Sequence, residues 1–162
     1  ALADLGPFAP PPRPIAVEAE VRDEHGGTAR LASGPRGLTV EIAFDHPAIG
    51  RQSWSGPPEA WPQLLSARTF GFERDRGALH AEGRALGAND ASAIVFGDDA
   101  DDVPLRFPDE PARHKALDAL GDLYLLGGPF AGRLRVSRGG HALHQRLVRE
   151  AAARLAATRG VS

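Results

Sequence analysis

The sequence predicts an α+β fold in two layers, with a mixed or antiparallel sheet covered on one face by two helices. Two observations favour this fold. Short runs that alternate apolar and polar residues, typical of half-buried strands, fill the first part of the chain. The two long stretches with helical patterning, residues 109–126 and 141–157, come only in the second half. Strands followed by helices, rather than alternating with them, are typical of α+β domains.

The composition excludes several classes of function. The chain has 162 residues, enough for one domain with a real core, and its formal net charge of -2 argues against a nucleic-acid-binding surface. It contains no cysteine, so a disulfide framework, a thiolate metal site and a cysteine nucleophile are excluded. No apolar run approaches the roughly 20 residues of a membrane span, and we expect a cytoplasmic protein.

Residues 1–14 are expected to be a linker that arrives from a domain upstream. They contain Pro10-Pro11-Pro12, which is incompatible with a helix or an inner strand. The chain contains no methionine, so we expect it to be part of a longer protein and place its own domain at residues 15–162.

Smaller elements are predicted along the chain before the long helices. Strands are predicted at residues 15–21, 28–31, 38–44, 52–55, 93–96 and 134–136. The clearest of them is 38–44, because every second residue is apolar. A brief helix is predicted at 59–65, a polar helical stretch at 74–84 and an acidic loop at 97–102.

The helix predicted at residues 109–126 organises the chain. Pro111 suits its first turn, and a Gly-Gly-Pro run ends it. We expect Leu117, Leu120 and Tyr124 to form its packing face, because they recur at helical spacing.

A polar stripe of His114, Asp118 and Asp122 runs along this helix. The three residues recur every four positions, which advances a helix by about 400° and places them on one slowly drifting face. An imidazole and a carboxylate one turn apart can share a metal ion, and a second carboxylate can orient another group. Spacing alone leaves open a solvated His/Asp edge, because such pairs are common on exposed helix faces.

His141 is the next candidate, because it opens the final helix directly after Gly139-Gly140. The helix dipole disfavours a protonated histidine at this end unless a carboxylate compensates, and Asp122 could be that carboxylate. His141 could be a general acid, a third metal ligand or a solvated first-turn residue. The residues alone do not decide between these roles.

Other polar residues carry weaker signals. His46 follows a predicted strand and is expected to cap its end, while His25 and His80 are expected on the surface. Thr69 could present its hydroxyl to a ligand or satisfy it on the backbone. The chain shows neither a GxSxG motif nor a phosphate-binding glycine loop.

Three motifs in order resemble those of UDP-3-O-acyl-N-acetylglucosamine deacetylase, the zinc amidase that commits bacteria to lipid A synthesis. They are Ala67-Arg-Thr-Phe-Gly-Phe72, Arg113-His-Lys-x-x-Asp-x-x-Gly-Asp122 and Gly140-His-Ala-Leu143. The likeness runs from about Pro14 to Leu155 in the family's order and spacing. Three ordered motifs are more specific than any one of them, so the chain is identified as a member of this family.

The resemblance implies a role for each residue of the polar stripe. His114 and Asp118 match two of the family's three zinc ligands. His141 matches the histidine that protonates the leaving amine and helps to stabilise the oxyanion. Asp122 matches the carboxylate that orients this histidine.

The resemblance also implies which residues contact the substrate. Thr69 matches a hydroxyl near the zinc-bound oxygen, Phe70 a residue beside the acyl chain, and Lys115 a substrate-contacting cation. Residues 74–96 match a small β-α-β insert that forms the family's hydrophobic passage for the acyl chain.

The chain departs from the family pattern in three respects. The family has two similarly folded domains, and this chain resembles the second, C-terminal domain alone. The third zinc ligand and the glutamate general base belong to the first domain. Residues 87–93 differ from the family's Gly-Gly-Ser-x-Asp-Asn-Ala, and His144 stands where the family usually has asparagine.

The resemblance therefore implies zinc-assisted hydrolysis of an amide, with UDP-3-O-acyl-N-acetylglucosamine as substrate and the missing N-terminal domain as partner. A glutamate would accept the proton of the water, and His141, held protonated by Asp122, would assist the leaving amine. The isolated chain is expected to be inactive without the first domain. The alternative is a catalytically incomplete, stand-alone domain that binds metal or a sugar nucleotide without turnover.

Overall fold

The computed structural model describes residues 13–75, 92–97 and 103–159. Seven strands and two α-helices follow one another in these ranges: β1 (Ala19–Arg22), β2 (Thr28–Ala32), β3 (Gly37–Ala43), β4 (Arg51–Gly56), β5 (Thr69–Phe72), β6 (Ala93–Phe96), α1 (Glu110–Leu123), β7 (Arg133–Ser137) and α2 (His141–Arg159). Short 3₁₀ helices lie at Pro58–Ser66, Glu73–Asp75 and Tyr124–Leu126.

Five of the strands form the main sheet, in the order β1-β2-β7-β3-β4. All neighbouring strands are antiparallel except β3 and β7, which run parallel. The central strand β7 follows α1 along the chain. Helix α1 therefore belongs to the connection that leads from the earlier strands back to the middle of the sheet. The sheet is mixed, which is one of the two arrangements predicted.

Both helices cover the same face of this sheet. Helix α1 packs against β3 and β4, α2 packs against β1 and β2, and the two helices pack against each other. The sheet face beneath them is apolar, and its buried residues are Ala19, Ala29, Leu31, Leu38, Val40, Ile42, Trp54, Leu134 and Val136. The opposite face carries Glu20, Arg30, Glu41, Ser53 and Arg135, all of them exposed. The alternation of side chains along each strand therefore separates core from solvent, and the predicted two-layer fold is confirmed.

The packing face of α1 is built mainly from small residues. Ala112, Ala116 and Ala119 are fully buried, which lets the helix backbone lie close to the sheet. The prediction that Tyr124 belongs to this face is wrong, because Tyr124 is 58% exposed and Leu123 takes the inward position. The α-helix ends at Leu123 and tightens into a 3₁₀ turn, which directs Tyr124 toward solvent.

Other predicted positions differ only slightly. Leu120 is buried and Leu117 packs against the core, as predicted. The first strand begins at Ala19 rather than at Ile15, which forms an isolated parallel bridge with Phe130.

The helix predicted at residues 59–65 is a 3₁₀ helix over Pro58–Ser66. Pro62 lies inside it and has no N–H to donate to an α-helical hydrogen bond. A short 3₁₀ segment tolerates this gap better than an α-helix does.

A second, small sheet consists of β5 and β6, which run parallel with Thr69 opposite Ala93 and Phe72 opposite Phe96. Only β6 lies within residues 74–96, where the resemblance implies a β-α-β insert, and its parallel partner β5 lies just before that range. The helix predicted at 74–84 lies outside the described residues except for its first two positions, which belong to the 3₁₀ turn Glu73–Asp75.

An aromatic cluster attaches this small sheet to the main one. Phe44, directly after β3, packs edge-on against Phe70 with the ring centroids 5.3 Å apart. Phe72 and Phe96 complete the cluster, with centroids 6.2 Å apart. β5 is thereby held beside the end of β3, where it can meet the side chains of α1.

His46 is buried against this cluster and has a structural role. Its Nε2–H donates to the carbonyl oxygen of Gly97 at 2.6 Å, and its Nδ1 accepts the N–H of Ala48 at 3.3 Å. Because each ring nitrogen has a partner, His46 joins the end of β3 to the end of β6. This agrees with the predicted strand-end role.

Several predicted features lie outside the described residues. They are the linker up to residue 12, His80, most of residues 87–93 and the acidic loop from residue 98 to 102. Within the described part of the chain, no helix is long and apolar enough to cross a membrane.

Candidate active site

The polar stripe of α1 lies beside the segment that leads into β5. Nδ1 of the half-buried His114 lies 3.3 Å from the carbonyl oxygen of Ala67. A carbonyl oxygen can only accept, so the neutral ring carries its proton on Nδ1 and its Nε2 keeps a free lone pair. This Nε2 lies 3.4 Å from Oδ1 of Asp118.

The separation between His114 and Asp118 fits two ligands of one metal ion. Zinc binds imidazole nitrogen and carboxylate oxygen at about 2.0–2.2 Å in a tetrahedral array, which places two ligand atoms about 3.3–3.5 Å apart. The observed 3.4 Å lies in this range. A backbone carbonyl such as that of Ala67 is also a usual partner for the second nitrogen of a metal-binding histidine. The donor set of this pair therefore fits zinc.

Lys115 and Phe70 border the pair. Nζ of Lys115 donates to Oδ2 of Asp118 at 3.0 Å and lies 5.5 Å from the centre of the Phe70 ring. The Phe70 ring in turn meets the His114 ring edge-on, with centroids 6.5 Å apart. Asp118 thus presents Oδ1 to His114 while a cation satisfies its other oxygen.

Thr69 lies on the exposed side of β5, between Ala67 and Phe70, which both contact His114. Among the described residues, its hydroxyl has no hydrogen-bond partner. The alternative in which the backbone satisfies this hydroxyl is therefore not observed. The hydroxyl is available to a ligand at the edge of the His114 site.

Asp122 connects α1 to the first turn of α2. Its Oδ2 accepts hydrogen bonds from Nδ1 of His141 at 2.7 Å and from Nδ1 of His144 at 2.8 Å. The His141 side chain is 60% exposed, and its Nε2 lies 3.8 Å from Oδ2 of Asp118. The structure therefore brings His141 and Asp122 together, and the other ring nitrogen of His141 faces Asp118.

His144 is a site residue to which the sequence patterns assigned no role. Its position three residues after His141 is the signal that could have revealed it, since residues three apart share a helix face. Burial lowers the pKa of His144, and the neighbouring Asp122 offsets this only in part. The neutral ring donates its Nδ1–H to Asp122, and its buried Nε2 has no hydrogen-bond partner among the described residues.

Two residues in the loop before α2 fix where this helix begins. Arg138 has a positive φ of 51°, and its N–H donates to the carbonyl oxygen of Glu41 at 2.8 Å. A Cβ at Gly139 would lie 2.5 Å from the side chain of Val136, so this position needs glycine. The start of α2, and with it the position of His141, follows from these constraints.

Asp122, His141 and His144 also form a cluster that could hold a metal ion, because one ligand atom of each lies within 4.8 Å of the others. The nitrogen–oxygen distances of 2.7 and 2.8 Å are hydrogen-bond lengths, shorter than the separation of two ligands on one zinc ion. The present distances in this cluster are therefore those of hydrogen bonds, whereas the 3.4 Å between His114 and Asp118 fits the separation of two metal ligands.

A buried ion pair lies at the start of α1. The side chains of Glu110 and Arg68 are 0% and 9% exposed, and Nε and Nη2 of Arg68 each donate to a different carboxylate oxygen at 3.0 Å. The backbone N–H groups of Arg68 and Arg106 complete the coordination of the carboxylate, at 3.0 and 2.6 Å. Burial alone raises the pKa of Glu110, but these hydrogen bonds together outweigh it and lower the pKa to about 2.

Comparison with known proteins identifies the family. The model of the LpxC family, UDP-3-O-acyl N-acetylglycosamine deacetylase, matches residues 9–153. The chain belongs to this family. The resemblance recognised from the three motifs is therefore confirmed.

Three curated relatives, each named UDP-3-O-acyl-N-acetylglucosamine deacetylase, illustrate the match. The chain is 49% identical to the protein of Psychrobacter arcticus over 121 residues, which covers 70% of this chain and 38% of that protein. It is 44% identical to the protein of Brucella ovis over 144 residues, covering 83% and 50%. It is 43% identical to the protein of Oleidesulfovibrio alaskensis over 140 residues, covering 82% and 46%. The chain thus spans half of the length of these LpxC relatives or less.

The low pKa of Glu110 predicts that this LpxC domain loses stability in acid. The carboxylate has an ordinary pKa of 4.5 and a folded pKa of about 2, so its contribution is complete above pH 4.5 and disappears as the pH falls toward 2. The lowering of this pKa from 4.5 to about 2 corresponds to a contribution of about 1–3 kcal/mol to the free energy of unfolding at neutral pH. Urea unfolding of wild type and Glu110→Gln from pH 7 to pH 3 measures it.

The difference between wild type and Glu110→Gln should shrink as the pH falls. Glu41→Gln, which removes an exposed carboxylate on β3, should leave the pH dependence unchanged. A constant difference across this pH range would show that the Glu110 carboxylate is not the source of the acid sensitivity.

The lowered pKa of His144 predicts a second loss of stability on acidification, at a higher pH than the loss expected from Glu110. Its folded pKa lies below the ordinary value of 6.5, so the unfolded chain takes up a proton first and stability falls as the pH drops below 6.5. Asparagine at this position can donate an amide N–H to Asp122 but does not titrate. The unfolding free energy of His144→Asn should therefore fall less between pH 7.5 and 5.5 than that of wild type. The exposed His25→Asn is the control, and equal slopes for wild type and His144→Asn would contradict the assignment.

Proposed function

We propose that this chain is the zinc-ligating, C-terminal part of a deacetylase that hydrolyses the acetamide of UDP-3-O-acyl-N-acetylglucosamine for lipid A biosynthesis. One observation carries the proposal. His114 and Asp118 lie at the separation of two ligands on one ion, and the Ala67 carbonyl holds the second nitrogen of the histidine. The names of the LpxC relatives supply the reaction and the substrate.

The proposed enzyme needs groups from outside residues 15–162. A catalytic zinc site takes three protein ligands, of which this chain supplies His114 and Asp118. Glu110 lies one turn before His114 but already accepts four hydrogen bonds from Arg68 and Arg106, so it is not available as a general base. The third ligand and the glutamate base would come from an N-terminal domain, consistent with the share of each LpxC relative that the chain spans.

His141 is the proposed general acid. A zinc ion held by His114 and Asp118 would supply Lewis-acid polarisation of the amide carbonyl and of the attacking water. Asp122 accepts the Nδ1–H of His141 and fixes the ring, so that Nε2–H of the protonated ring can donate to the developing oxyanion and then transfer its proton to the departing amine. The donor from His144 fixes the Asp122 carboxylate in turn.

The proposed substrate contacts follow β5 and α1. The free hydroxyl of Thr69 would hydrogen-bond near the reacting carbonyl, Phe70 would line the path of the acyl chain, and Lys115 would meet an anionic or polar group of the substrate. The half-buried position of Phe70 beside His114 and Lys115 supports this arrangement. A cytoplasmic location remains a prediction.

Acetate release from UDP-3-O-acyl-N-acetylglucosamine tests the function. The isolated chain with added zinc should give no measurable turnover, because it lacks one ligand and the general base, and loss of a general base alone costs about 10²–10⁴ in rate. Addition of the N-terminal domain in trans, or its fusion to residue 1, should restore activity. Turnover by the isolated chain would show that a third ligand and a base are encoded within these 162 residues.

A second candidate is a domain that binds metal or a sugar nucleotide without turnover. The observation in its favour is that, in the described part of the chain, no glutamate is free to act as a base beside His114 and Asp118. Calorimetry measures the binding of zinc or UDP, and the acetate assay measures turnover. Binding without acetate release after addition of the N-terminal domain would support the second candidate.

A further inference from the structure

We propose that Glu110 is a positioning residue for His114, and that it acts by holding the peptide unit between Ala67 and Arg68. This inference rests on the proposed role of His114 as a metal ligand. It gives the buried pair of Glu110 and Arg68 a function beyond joining β5 to α1.

Helix α1 holds the peptide unit between Ala67 and Arg68 at both ends. The N–H of Arg68 donates to Oε1 of Glu110 at 3.0 Å, and the carbonyl oxygen of Ala67 accepts the Nδ1–H of His114 at 3.3 Å. These two groups belong to the same peptide bond, which is planar and trans, so its N–H and C=O point in opposite directions. Glu110 and His114 lie four residues apart, on neighbouring turns of one helix face. A rotation of the peptide plane would break both contacts at once.

The carboxylate of Glu110 has little freedom to move. Each of its oxygens accepts two hydrogen bonds, two from the Arg68 guanidinium and two from the backbone N–H groups of Arg68 and Arg106. Charge-assisted bonds of this two-point kind fix orientation as well as distance. Because the side chain of Glu110 is fully buried, water does not compete for these contacts.

Because its peptide unit is held in this way, the Ala67 carbonyl determines the tautomer of His114. Its oxygen accepts a hydrogen bond from Nδ1–H and thereby selects the tautomer in which the unprotonated Nε2 faces Asp118 at 3.4 Å. If the peptide plane is released, the ring loses this partner and can change both its tautomer and its rotamer. Loss of such an outer partner typically weakens metal binding by about 10–100-fold.

The test compares Glu110→Gln and Glu110→Asp with wild type, in the complete protein that contains this chain. Glu110→Asp keeps the charge beside Arg68 but shortens the side chain, so it withdraws the acceptor from the peptide with less risk to folding. Zinc dissociation constants are measured by competition with a chelator. The tautomer of His114 is measured in the metal-free protein by NMR of its ring nitrogens. We expect zinc to bind about 10–100-fold more weakly in both variants, and the Nδ1–H form to lose its dominance.

Two control variants separate positioning from folding stability. Asp109→Asn breaks the 2.7 Å ion pair with Arg113 in the same part of α1, without touching the Ala67–Arg68 peptide, and should leave zinc affinity unchanged. Arg68→Lys keeps the backbone N–H that Glu110 holds but loses the guanidinium fork that orients the carboxylate, so it should weaken zinc binding less than Glu110→Asp does.

Unchanged zinc affinity and tautomer in folded Glu110→Asp would overturn the proposal, and so would an equal loss in Asp109→Asn. His114→Ala distinguishes the two levels of inference. If it retains zinc, His114 is not a ligand and the proposed function fails. If it loses zinc while the Glu110 variants do not, only the positioning role fails.

Discussion

Replacing His114 or Asp118 with alanine is expected to remove zinc from the complete enzyme and to lower deacetylation by about 10³-fold or more. Each variant leaves one of the two ligands that we propose for this chain, and the loss of metal assistance would remove several kcal/mol of transition-state stabilisation. Metal content is measured by elemental analysis after dialysis, and activity by acetate release. Circular dichroism establishes that each variant remains folded.

Three further variants show whether the loss of zinc is specific to His114 and Asp118. His25→Ala removes an exposed histidine far along the chain and should keep zinc and activity. Asp122→Ala and His144→Ala test the second cluster that could hold a metal ion. The outcome that would contradict the prediction is full zinc occupancy in both the His114 and the Asp118 variant, with loss of zinc in the Asp122 and His144 variants. This outcome would show that zinc binds at that second cluster.

His141→Ala is expected to lower kcat by about 10²–10⁴-fold while zinc content stays at the wild-type level. The reason is that His141, the proposed general acid, has an exposed side chain that Asp122 orients, and it is not one of the two proposed metal ligands. Asp122→Asn should also lower kcat, because an amide oxygen replaces the charged acceptor that holds the ring. Steady-state kinetics on UDP-3-O-acyl-N-acetylglucosamine measures both effects.

The double variant shows whether His141 and Asp122 act together. If Asp122 works only through His141, the loss in the double variant should be close to that of His141→Ala alone, far less than the product of the two single losses. His144→Asn is the matched control, since asparagine can keep one donor on Asp122, and its kcat should stay within about threefold of wild type. Losses that multiply would mean that the two residues act independently.

The strands could be predicted because their signal is local. In β3, Leu38, Val40 and Ile42 alternate with polar residues, and an extended backbone turns this spacing directly into one buried face. The prediction for α1 was less accurate at its end, since the inward position passes from Leu120 to Leu123 and not to Tyr124. The change from α-helix to 3₁₀ turn after Leu123 depends on packing that spacing does not contain.

The residues of the site that share one helix could be predicted, whereas those brought together from separate elements could not. His114, Asp118 and Asp122 are joined by helical periodicity, so their common face can be read from the chain. The contact between Arg68 and Glu110 joins residues 42 positions apart, and no periodicity marks it. His144 was left unassigned because only the approach of α2 to α1 brings it to Asp122, 22 positions away.

The sequence by itself determined the α+β class, the strand faces, the polar stripe of α1 and, through three ordered motifs, the LpxC family. Each of these depends on neighbours along the chain, where backbone geometry fixes which side chains share a face. Only the tertiary structure decided that the Ala67 carbonyl meets His114, that Glu110 accepts the N–H of the same peptide unit, and that Asp122 accepts hydrogen bonds from two histidines. These contacts are hydrogen bonds between separate elements, and their geometry exists only once β5, α1 and α2 are packed together.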